Sequence, residues 1–191
     1  MKRTLIVIAL IAVLIAPVWA QNTGRTSDGF GWDSDGRGIS IWSYNGTATA
    51  VRIPDRINNL PVVRIDNGAF QAGQEDNTFG ITSVVIPNTV TMIGESAFRS
   101  QSNLTSVTLP TSLVEIEYGA FWGCTALTSI SLPASIRTIG AYAFRNCTAL
   151  TTVTIPASVT RITFTNNTAF TGVTNLNAVS VATLQRVGYV F

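Results

Sequence analysis

Between residues 81 and 170 the apolar residues recur in six columns with a period of 23 residues, broken once by a three-residue insertion before Phe170. Each unit opens with a leucine or isoleucine, passes through a proline and closes with a phenylalanine. The opening column is Ile81, Leu104, Leu127 and Leu150, the prolines are Pro87, Pro110, Pro133 and Pro156, and the closing column is Phe98, Phe121, Phe144 and Phe170. A fixed period of this length indicates supersecondary units that stack on one another.

The pattern inside one unit predicts how each coil is built. In LTSVTLP (104–110), Val107 and Leu109 are two residues apart and therefore point to the same face of a strand. Pro110 ends that strand because it has no N–H to donate. SLVEIE then predicts a second short extended segment, and GAFWGC predicts a turn. The chain is therefore predicted to be a β-rich solenoid of parallel strands, one coil per 23 residues, with short turns or helical turns between, forming a single domain.

The flanking segments predict the boundaries of this domain. A degenerate unit fits residues 48–70 if INNLP is treated as an insertion, and LNAVSV (176–181) repeats the strand pattern. We therefore expect a solenoid over 48–181, with about five coils and a final strand. Two alternating aromatic runs around DSDGRG predict an N-terminal hairpin cap over 28–47, and 182–191 are predicted to form a C-terminal cap. The polar segment 21–27 is predicted to be a flexible tail.

The first twenty residues have the pattern of a secretory signal peptide. Lys2 and Arg3 precede an apolar run over 5–20, with small residues at Val18 and Ala20 before the expected cleavage site. The alternative is a retained anchor, but the run contains a proline and is shorter than a typical membrane span. The sequence thus predicts an exported protein, extracellular, at the cell surface or periplasmic, without a transmembrane segment after signal removal.

The repeat itself resembles a known family. The pattern L-x-x-V/I-x-I/L-P-x-x-V/I-x-x-I-G-x-x-A-F-x-x-C is similar to the BspA-type, or treponemal-type, leucine-rich repeat over residues 48–181. GFGWDSDGRGISIWSYNGTATAVRIP resembles the entry segment that precedes such repeats. Departures occur at Gln101 and Val173 in the cysteine column and at Glu117 and Thr163 in the glycine column. The resemblance implies a leucine-rich repeat solenoid and a secreted or surface role in adhesion or protein binding, with no shared catalytic residues to carry over.

Charge and composition exclude several classes of function. Without Lys2 and Arg3 the chain has ten arginines and ten acidic residues, and the arginines are scattered. Nucleic acid is therefore not an expected partner, because tracking phosphates requires clustered cations. The sequence contains no histidine, which excludes Ser-His-Asp and Cys-His catalysis. No cofactor or metal is expected, since two cysteines without histidine cannot complete a zinc site.

Three smaller features each have two readings. Cys124 and Cys147 occupy the same column, and we favour free buried thiols over a disulfide between neighbouring coils. Glu115 and Glu117 straddle Ile116 and are interpreted as a solvated edge rather than an acid–base pair. Residues 33–36 (DSDG) are interpreted as a tight turn rather than a calcium loop, because the closing glutamate is missing.

The candidate binding face combines two sets of residues. Outward positions of the first strand carry hydroxyl groups, and the variable turns carry arginine and aromatic residues typical of binding hot spots. The predicted face consists of Ser83, Ser106, Thr108, Ser129, Ser131, Thr152, Thr154, Arg99, Trp122, Tyr142 and Arg145. For the hydroxyl columns the alternative is solubility and strand propensity, and Trp122 can equally lie flat against the next coil.

These features favour a non-enzymatic module that binds an unidentified protein partner, of host, matrix or cell-surface origin, through an extended solenoid face. The alternative is a structural envelope or surface protein that self-associates end to end through its strand edges. A hydrolase is a distant third hypothesis, because no catalytic constellation stands out in the sequence.

Overall fold

A computed structural model describes residues 23–73 and 80–191. The predicted signal peptide, residues 1–20, lies outside the described residues. The strands are β1 (Thr23–Arg25), β2 (Phe30–Ser34), β3 (Ile39–Tyr44), β4 (Ala50–Arg52), β5 (Arg56–Ile57), β6 (Leu60–Ile65), β7 (Ser83–Val85), β8 (Met92–Ile93), β9 (Ser106–Thr108), β10 (Glu115–Ile116), β11 (Ser129–Ser131), β12 (Thr138–Ile139), β13 (Thr152–Thr154) and β14 (Thr163–Phe164). A 3₁₀ turn (Thr165–Asn167) and helix α1 (Ala178–Arg186) follow.

The predicted coils are confirmed as a parallel β-solenoid. First strands of successive coils pair in parallel as β4-β7-β9 and as β11-β13. Second strands continue from the N-terminal hairpin in one sheet of order β1-β2-β3-β6-β8-β10-β12-β14, with β5 attached to β6. The one-coil register shows in the pairs Ile65 with Ile93, and Ile116 with Ile139. The repeat period therefore corresponds to one turn of the stack.

The repeating apolar columns form the core between the first strands, the second strands and the turns. Phe70, Phe98, Phe121 and Phe144 are fully buried. Their rings stack along the solenoid axis, with centroids 4.9, 5.2 and 5.4 Å apart, and the ring planes of Phe98, Phe121 and Phe144 are tilted by only 3° between neighbours. Phe170 continues the stack at 5.1 Å from Phe144. We call these five rings the phenylalanine spine; it holds successive coils at one regular spacing.

The cysteine column has a hydrogen-bonding role. Both thiols are free and buried, as the sequence predicts. Cys147 Sγ donates to the carbonyl of Phe121 at 3.2 Å, and Cys124 Sγ donates to that of Phe98 at 3.2 Å. Gln101 stands in the same column, and its longer side chain donates to the carbonyl of Phe70 at 2.7 Å. Gln101 departs from the cysteine of this column, yet it also donates a hydrogen bond to the phenylalanine carbonyl of the preceding coil.

The N-terminal segment corrects one prediction. Residues 23–25 form strand β1, which pairs antiparallel with β2, instead of belonging to a flexible tail. Gly24 lies beneath the buried indole of Trp32, because a Cβ at Gly24 would be only 2.8 Å from that ring. β2 and β3 form an antiparallel hairpin within the predicted 28–47 cap, and β3 continues into the solenoid by parallel pairing with β6.

The C-terminal end corrects a second prediction. Residues 178–181 start helix α1 and do not form a final strand. Asn177 caps the helix by accepting from the Ser180 N–H at 2.8 Å, and no proline follows to end an extended segment. Ser180 Oγ in turn accepts the Val153 N–H at 2.9 Å. The helix therefore covers the open edge of β13, satisfying a backbone donor that another strand would otherwise pair.

The insertions leave the stack intact. INNLP forms a tight antiparallel hairpin between β5 and β6, in which Asn58 and Asn59 have φ of 50° and 65°. Two consecutive left-handed residues are typical of a type I′ hairpin turn, and asparagine tolerates that conformation well. The insertion before Phe170 contains the 3₁₀ turn, after which the phenylalanine returns to its column.

Candidate functional site

The predicted hydroxyl positions lie on the first strands, in two columns. Ser83 pairs in register with Ser106, and Ser129 with Thr152. Thr108 continues a column that Val85 begins, and Ser131 pairs with Thr154. We call Ser83, Ser106, Thr108, Ser129, Ser131, Thr152 and Thr154 the hydroxyl face. β9 and β11 contact each other but belong to different sheets, so the backbone ladder is interrupted between the two halves of this face.

Several hydroxyl groups near this face bond to neighbouring coils. Thr154 Oγ1 lies 2.8 Å from Ser131 Oγ and donates to it. Thr152 Oγ1 accepts from the Asn177 side chain at 3.3 Å, just before α1 begins, and Thr152 is half-buried. Next to the columns, Thr105 Oγ1 donates to the carbonyl of Thr82 at 2.9 Å. These bonds favour a structural role for part of the hydroxyl face.

The second predicted set comes together on the turns. Arg99, Trp122 and Arg145 each follow a phenylalanine of the spine and so form one column on successive coils. The guanidinium carbons of Arg99 and Arg145 lie 4.3 and 4.7 Å from the Trp122 ring centroid. One arginine belongs to the preceding coil and the other to the following coil, so the indole lies between two cations. Such cation–π contacts favour a fixed arrangement of all three side chains.

Two tyrosines complete this group. Tyr142 lies 5.9 Å from Trp122 and 4.9 Å from the Arg145 guanidinium carbon. Tyr118, which the sequence analysis missed, lies 5.6 Å from Tyr142 and 6.4 Å from Trp122, and it is 37% exposed. Its only sequence signal is its position four residues before Trp122, in the same turn. We call Arg99, Tyr118, Trp122, Tyr142 and Arg145 the aromatic–arginine cluster.

Backbone hydrogen bonds hold the cluster in place. The Trp122 N–H donates to the carbonyl of Gly119 at 2.9 Å, and the Arg145 N–H donates to that of Tyr142 at 2.9 Å. Adjacent turns are joined as well, since the Gly123 N–H donates to the carbonyl of Arg145 at 2.8 Å. Every residue of the Arg99 column therefore starts from an equivalent backbone position, fixed by the coils above and below it.

Tyr142 adopts an unusual backbone conformation. Its φ is 58°, in the left-handed region, where the equivalent residues of the two preceding coils are Gly119 and Ser96. A bulky side chain at positive φ is strained, and such residues concentrate at ligand clamps and functional sites. The repeat geometry demands this conformation, and the tyrosine is the only bulky side chain among these three equivalent positions.

The cluster is electrostatically uncompensated. Within residues 23–73 and 80–191, neither Arg99 nor Arg145 has an ion pair or donates a side-chain hydrogen bond. By contrast, Arg186 donates to the carbonyl of Val159 at 2.6 Å, and Arg64 pairs with Asp66 at 2.6 Å. The Arg145 Nε atom is buried without a hydrogen-bond partner in the described chain. Because that atom is shielded, the donors left for an external acceptor are the terminal nitrogens of Arg145 and the guanidinium donors of Arg99.

Two of the remaining candidate carboxylates, Glu117 and Asp35, accept backbone hydrogen bonds. Glu117 accepts the Glu95 N–H at 3.0 Å, which ties one member of the Glu115–Glu117 pair to the preceding coil. Asp35 accepts the N–H groups of Arg37 and Gly38 at 2.8 and 3.0 Å, as in an Asx turn. These backbone bonds, that of Arg37 first, hold the pKa of Asp35 below its usual range. A tight turn is therefore present, but it spans 35–38, two residues later than predicted, because Asp33 and Ser34 belong to β2.

A groove that the sequence analysis did not predict lies beside the hairpin. It has a volume of about 700 Å³ and is lined by residues that include Trp42, Arg64 and Asp66. Burial raises the pKa of Asp66, and the neighbouring Arg64 acts in the opposite direction. Arg64 and Asp66 are paired to each other, and Asp33 and Asp35 also line the groove, so its charge is predominantly acidic, unlike that of the aromatic–arginine cluster.

The described residues contain no group of three histidine, cysteine, aspartate or glutamate side chains able to hold a metal ion. The free thiols face the core, where burial raises the pKa of Cys147 to about 12 and that of Cys124 well above its ordinary value. A protonated, buried thiol is a poor nucleophile. The arrangement with the most accessible chemistry is therefore a set of cations and aromatic rings suited to binding.

Comparison with known proteins identifies the repeat. The BspA type Leucine rich repeat region matches six copies across residues 63–190. The chain belongs to the BspA-type leucine-rich repeat family. The resemblance noted in the sequence is thereby confirmed, and the coils described above are leucine-rich repeats. No curated protein sequence matches the chain significantly.

Solved structures of leucine-rich repeat proteins share this solenoid. A protein from Bacteroides capillosus is 26% identical with a TM-score of 0.62, over 72% of this chain and 100% of its own. The leucine-rich repeat protein of T. pallidum is 27% identical with a TM-score of 0.57, over 87% and 97%. A leucine-rich cell surface protein from Faecalibacterium prausnitzii shares the fold at 24% identity and a TM-score of 0.54, over 73% of this chain and 44% of its own.

Within the part of the chain that the structure describes, no helix has the length and apolarity needed to cross a bilayer. The N-terminal residues that carry the predicted signal are not among those searched.

Proposed function

We propose that this leucine-rich repeat protein is an exported, non-enzymatic module that binds a protein partner of host, matrix or cell-surface origin. The aromatic–arginine cluster is the observation that carries the proposal. Tryptophan, tyrosine and arginine are the residues that dominate binding energy at protein interfaces. Here they lie together on a rigid scaffold, with two guanidinium groups that no carboxylate of the described chain neutralises.

The solenoid supports this role by its rigidity. Stacked phenylalanine rings and coil-to-coil hydrogen bonds hold the surface residues before a partner arrives. Pre-organised side chains lose little freedom on binding, so more of their interaction energy appears as affinity. The exposed members of the hydroxyl face, such as Ser106, Thr108 and Ser129, supply additional polar contacts near the same coils.

The C-terminal end of the stack disfavours end-to-end assembly. Helix α1 covers the edge of β13, whereas the N-terminal hairpin extends the second-strand sheet and leaves β1 as its edge strand. Self-association through the edge of β13 requires the helix to move. Light scattering at increasing protein concentration tests this alternative, since end-to-end stacking produces oligomers that grow with concentration.

Binding of purified matrix and cell-surface proteins to the immobilised protein tests the proposal. We expect saturable binding of at least one partner, weakened by Trp122→Ala and unchanged by Arg161→Ala. Arg161 is an exposed arginine with no contact to the cluster, so it is a charge-matched control. A second variant carries lysine at Ser106, Thr108, Ser129 and Ser131. If no partner binds, or if neither the cluster variant nor the lysine variant alters binding, the proposal is wrong.

A further inference from the structure

We propose that the aromatic–arginine cluster recognises an extended acidic peptide segment, whose carboxylates pair with the guanidinium edges of Arg99 and Arg145. The inference rests on the proposed protein-binding function and names the chemistry of the ligand at this site.

The guanidinium groups have donors suited to carboxylates. Their central carbons lie over the Trp122 ring, at 4.3 Å for Arg99 and 4.7 Å for Arg145. A guanidinium presents its N–H donors in a planar fork that matches a carboxylate, and at Arg145 the buried Nε leaves the terminal nitrogens for that pairing. Neither arginine side chain donates a hydrogen bond to a carboxylate or a carbonyl of the described chain. An acidic side chain is therefore the ligand that completes the site.

The spacing of the two arginines suits an extended segment. They stand on the same column two coils apart, and their guanidinium carbons, 4.3 and 4.7 Å from the same ring centroid, are no more than about 9 Å apart. Side chains on one face of an extended peptide repeat at roughly 7 Å, and glutamate side chains are flexible enough to cover the difference. One short acidic segment can thus place a carboxylate at each guanidinium, with the tyrosines beside it.

The same geometry disfavours a sugar as the ligand. Stacking of a sugar ring on an aromatic side chain needs a free face, but Trp122 is contacted by one arginine from the preceding coil and one from the following coil. The cluster also contains only two cations, whereas a highly sulfated polysaccharide is bound by extended basic surfaces. Sulfated oligosaccharide is accordingly the competing ligand in the test.

Tyr142 pre-organises the site. Its positive φ of 58° places the ring 4.9 Å from the Arg145 guanidinium carbon. Glycine and serine occupy the equivalent positions in the preceding coils, so the fold itself does not require tyrosine there. Glycine would fit this backbone position with less strain than tyrosine. A strained residue that is kept where a less strained one fits is expected when its side chain has a function.

A labelled peptide of alternating glutamate and glycine provides the probe, with a glutamine–glycine peptide of the same length as its uncharged match. The purified protein is titrated while the fluorescence anisotropy of the peptide is measured. We expect the acidic peptide to bind and the glutamine peptide to bind at least about tenfold more weakly, since charge-assisted hydrogen bonds are lost. Affinity for the acidic peptide also falls with added salt.

Three cluster variants and one control variant locate the interaction. Arg99→Ala and Arg145→Ala are each expected to weaken binding about tenfold, and Arg161→Ala by less than about twofold. Tyr142→Gly is expected to weaken binding several-fold while the thermal unfolding midpoint stays equal or rises. If Tyr142 had only a structural role, its replacement would not weaken binding while leaving the unfolding midpoint equal or higher.

The outcomes distinguish this inference from the proposed function. Equal binding of both peptides, no effect of the two arginine substitutions, or stronger cluster-dependent binding of a sulfated oligosaccharide overturns the acidic-peptide inference. If a purified matrix or cell-surface protein still binds through Trp122, the protein-binding function survives that result. If the acidic peptide binds through Arg99 and Arg145 while no protein partner is found, the inference stands and the broader function fails.

Discussion

Two columns of this solenoid lie one position apart in every coil. One keeps the same residue type throughout, and the other varies from coil to coil. The phenylalanine spine repeats one residue type at Phe70, Phe98, Phe121, Phe144 and Phe170. The next residue of each coil varies freely, as Gln71, Arg99, Trp122, Arg145 and Thr171. The first column lies in the core and the second lies at or near the surface.

The difference shows how a repeat protein separates stability from recognition. Each interior position meets the same neighbours in the coils above and below, so one ring shape is optimal throughout. The outer column is positioned by the same backbone hydrogen bonds but is not constrained by packing on all sides. Variation there therefore produces a distinct surface group, the aromatic–arginine cluster that we propose as a binding site, without disturbing the stack.

The largest expected effect contrasts two adjacent residues. Phe121→Ala removes a fully buried ring that stacks on both neighbours, and we expect a loss of about 3–5 kcal/mol in the free energy of unfolding. Trp122→Ala removes a half-buried ring and is expected to cost about 1 kcal/mol. Urea unfolding of both variants measures the contrast. Equal losses for the two residues contradict the separation of the columns.

A second prediction concerns the buried thiol beside the spine. The pKa of Cys147 is raised from 9.0 to about 12, chiefly because burial disfavours the thiolate. Below pH 9 the thiol is protonated in both states and contributes no pH dependence. Above pH 9 the Cys147 thiol ionises in the unfolded state but stays protonated in the folded state. The free energy of unfolding of the native protein therefore falls as the pH rises, until about pH 12.

Comparison with Cys147→Ala isolates this contribution. Between about pH 8 and 10.5 the native protein is expected to lose about 2 kcal/mol more than the variant, because only the native protein carries this ionisable group. Urea unfolding at the two pH values measures the difference. Parallel pH dependence in the two proteins shows that Cys147 is exposed in solution.

A third prediction concerns the strained residue of the outer site. Tyr142→Gly places a residue that favours positive φ where the tyrosine now has a φ of 58°. Relief of that strain is expected to raise the free energy of unfolding by about 1 kcal/mol, less the ring contacts that are lost. Phe144→Leu, two residues away in the spine, is the contrasting variant and is expected to destabilise. A Tyr142→Gly protein that is clearly less stable than the native one contradicts the strain argument.

The smallest expected effect belongs to the hydroxyl face. Ser131→Ala removes the hydroxyl that accepts from Thr154 at 2.8 Å, but both residues are exposed and water replaces the bond. The free energy of unfolding should change by less than about 0.5 kcal/mol. Thermal melts of the native protein and the variant suffice, and a loss of more than about 1 kcal/mol assigns this face a larger structural role.

The regular coils were predictable because each one repeats a local rule. Pro110 ends a strand by lacking a donor, and Phe121 fills the same core position as Phe98. The two ends were not predictable in this way. VSV in 179–181 reads as a strand by composition, yet it is helical because Ser180 and Asn177 satisfy donors at the edge of β13 and at the helix start. Likewise, QNTGRTS reads as a tail, although Trp32 packs over Gly24 and β1 pairs with β2.

The candidate site was predicted in its members but not in its arrangement. Arg99, Trp122, Tyr142 and Arg145 were singled out by type and by their place in the turns, whereas Tyr118 was not. The placement of the Trp122 ring between two guanidinium groups depends on the coil spacing, which is a property of the assembled stack.

The sequence by itself determined the repeating coil, its buried columns and its family, because the regular spacing of apolar residues specifies which positions are buried in every coil. Only the tertiary structure decided the ends and the surface site. A terminal coil has a neighbour on one side only, so the segment that satisfies its open edge is selected by contact. The aromatic–arginine cluster likewise exists only because stacking brings residues from three successive coils within reach of one another.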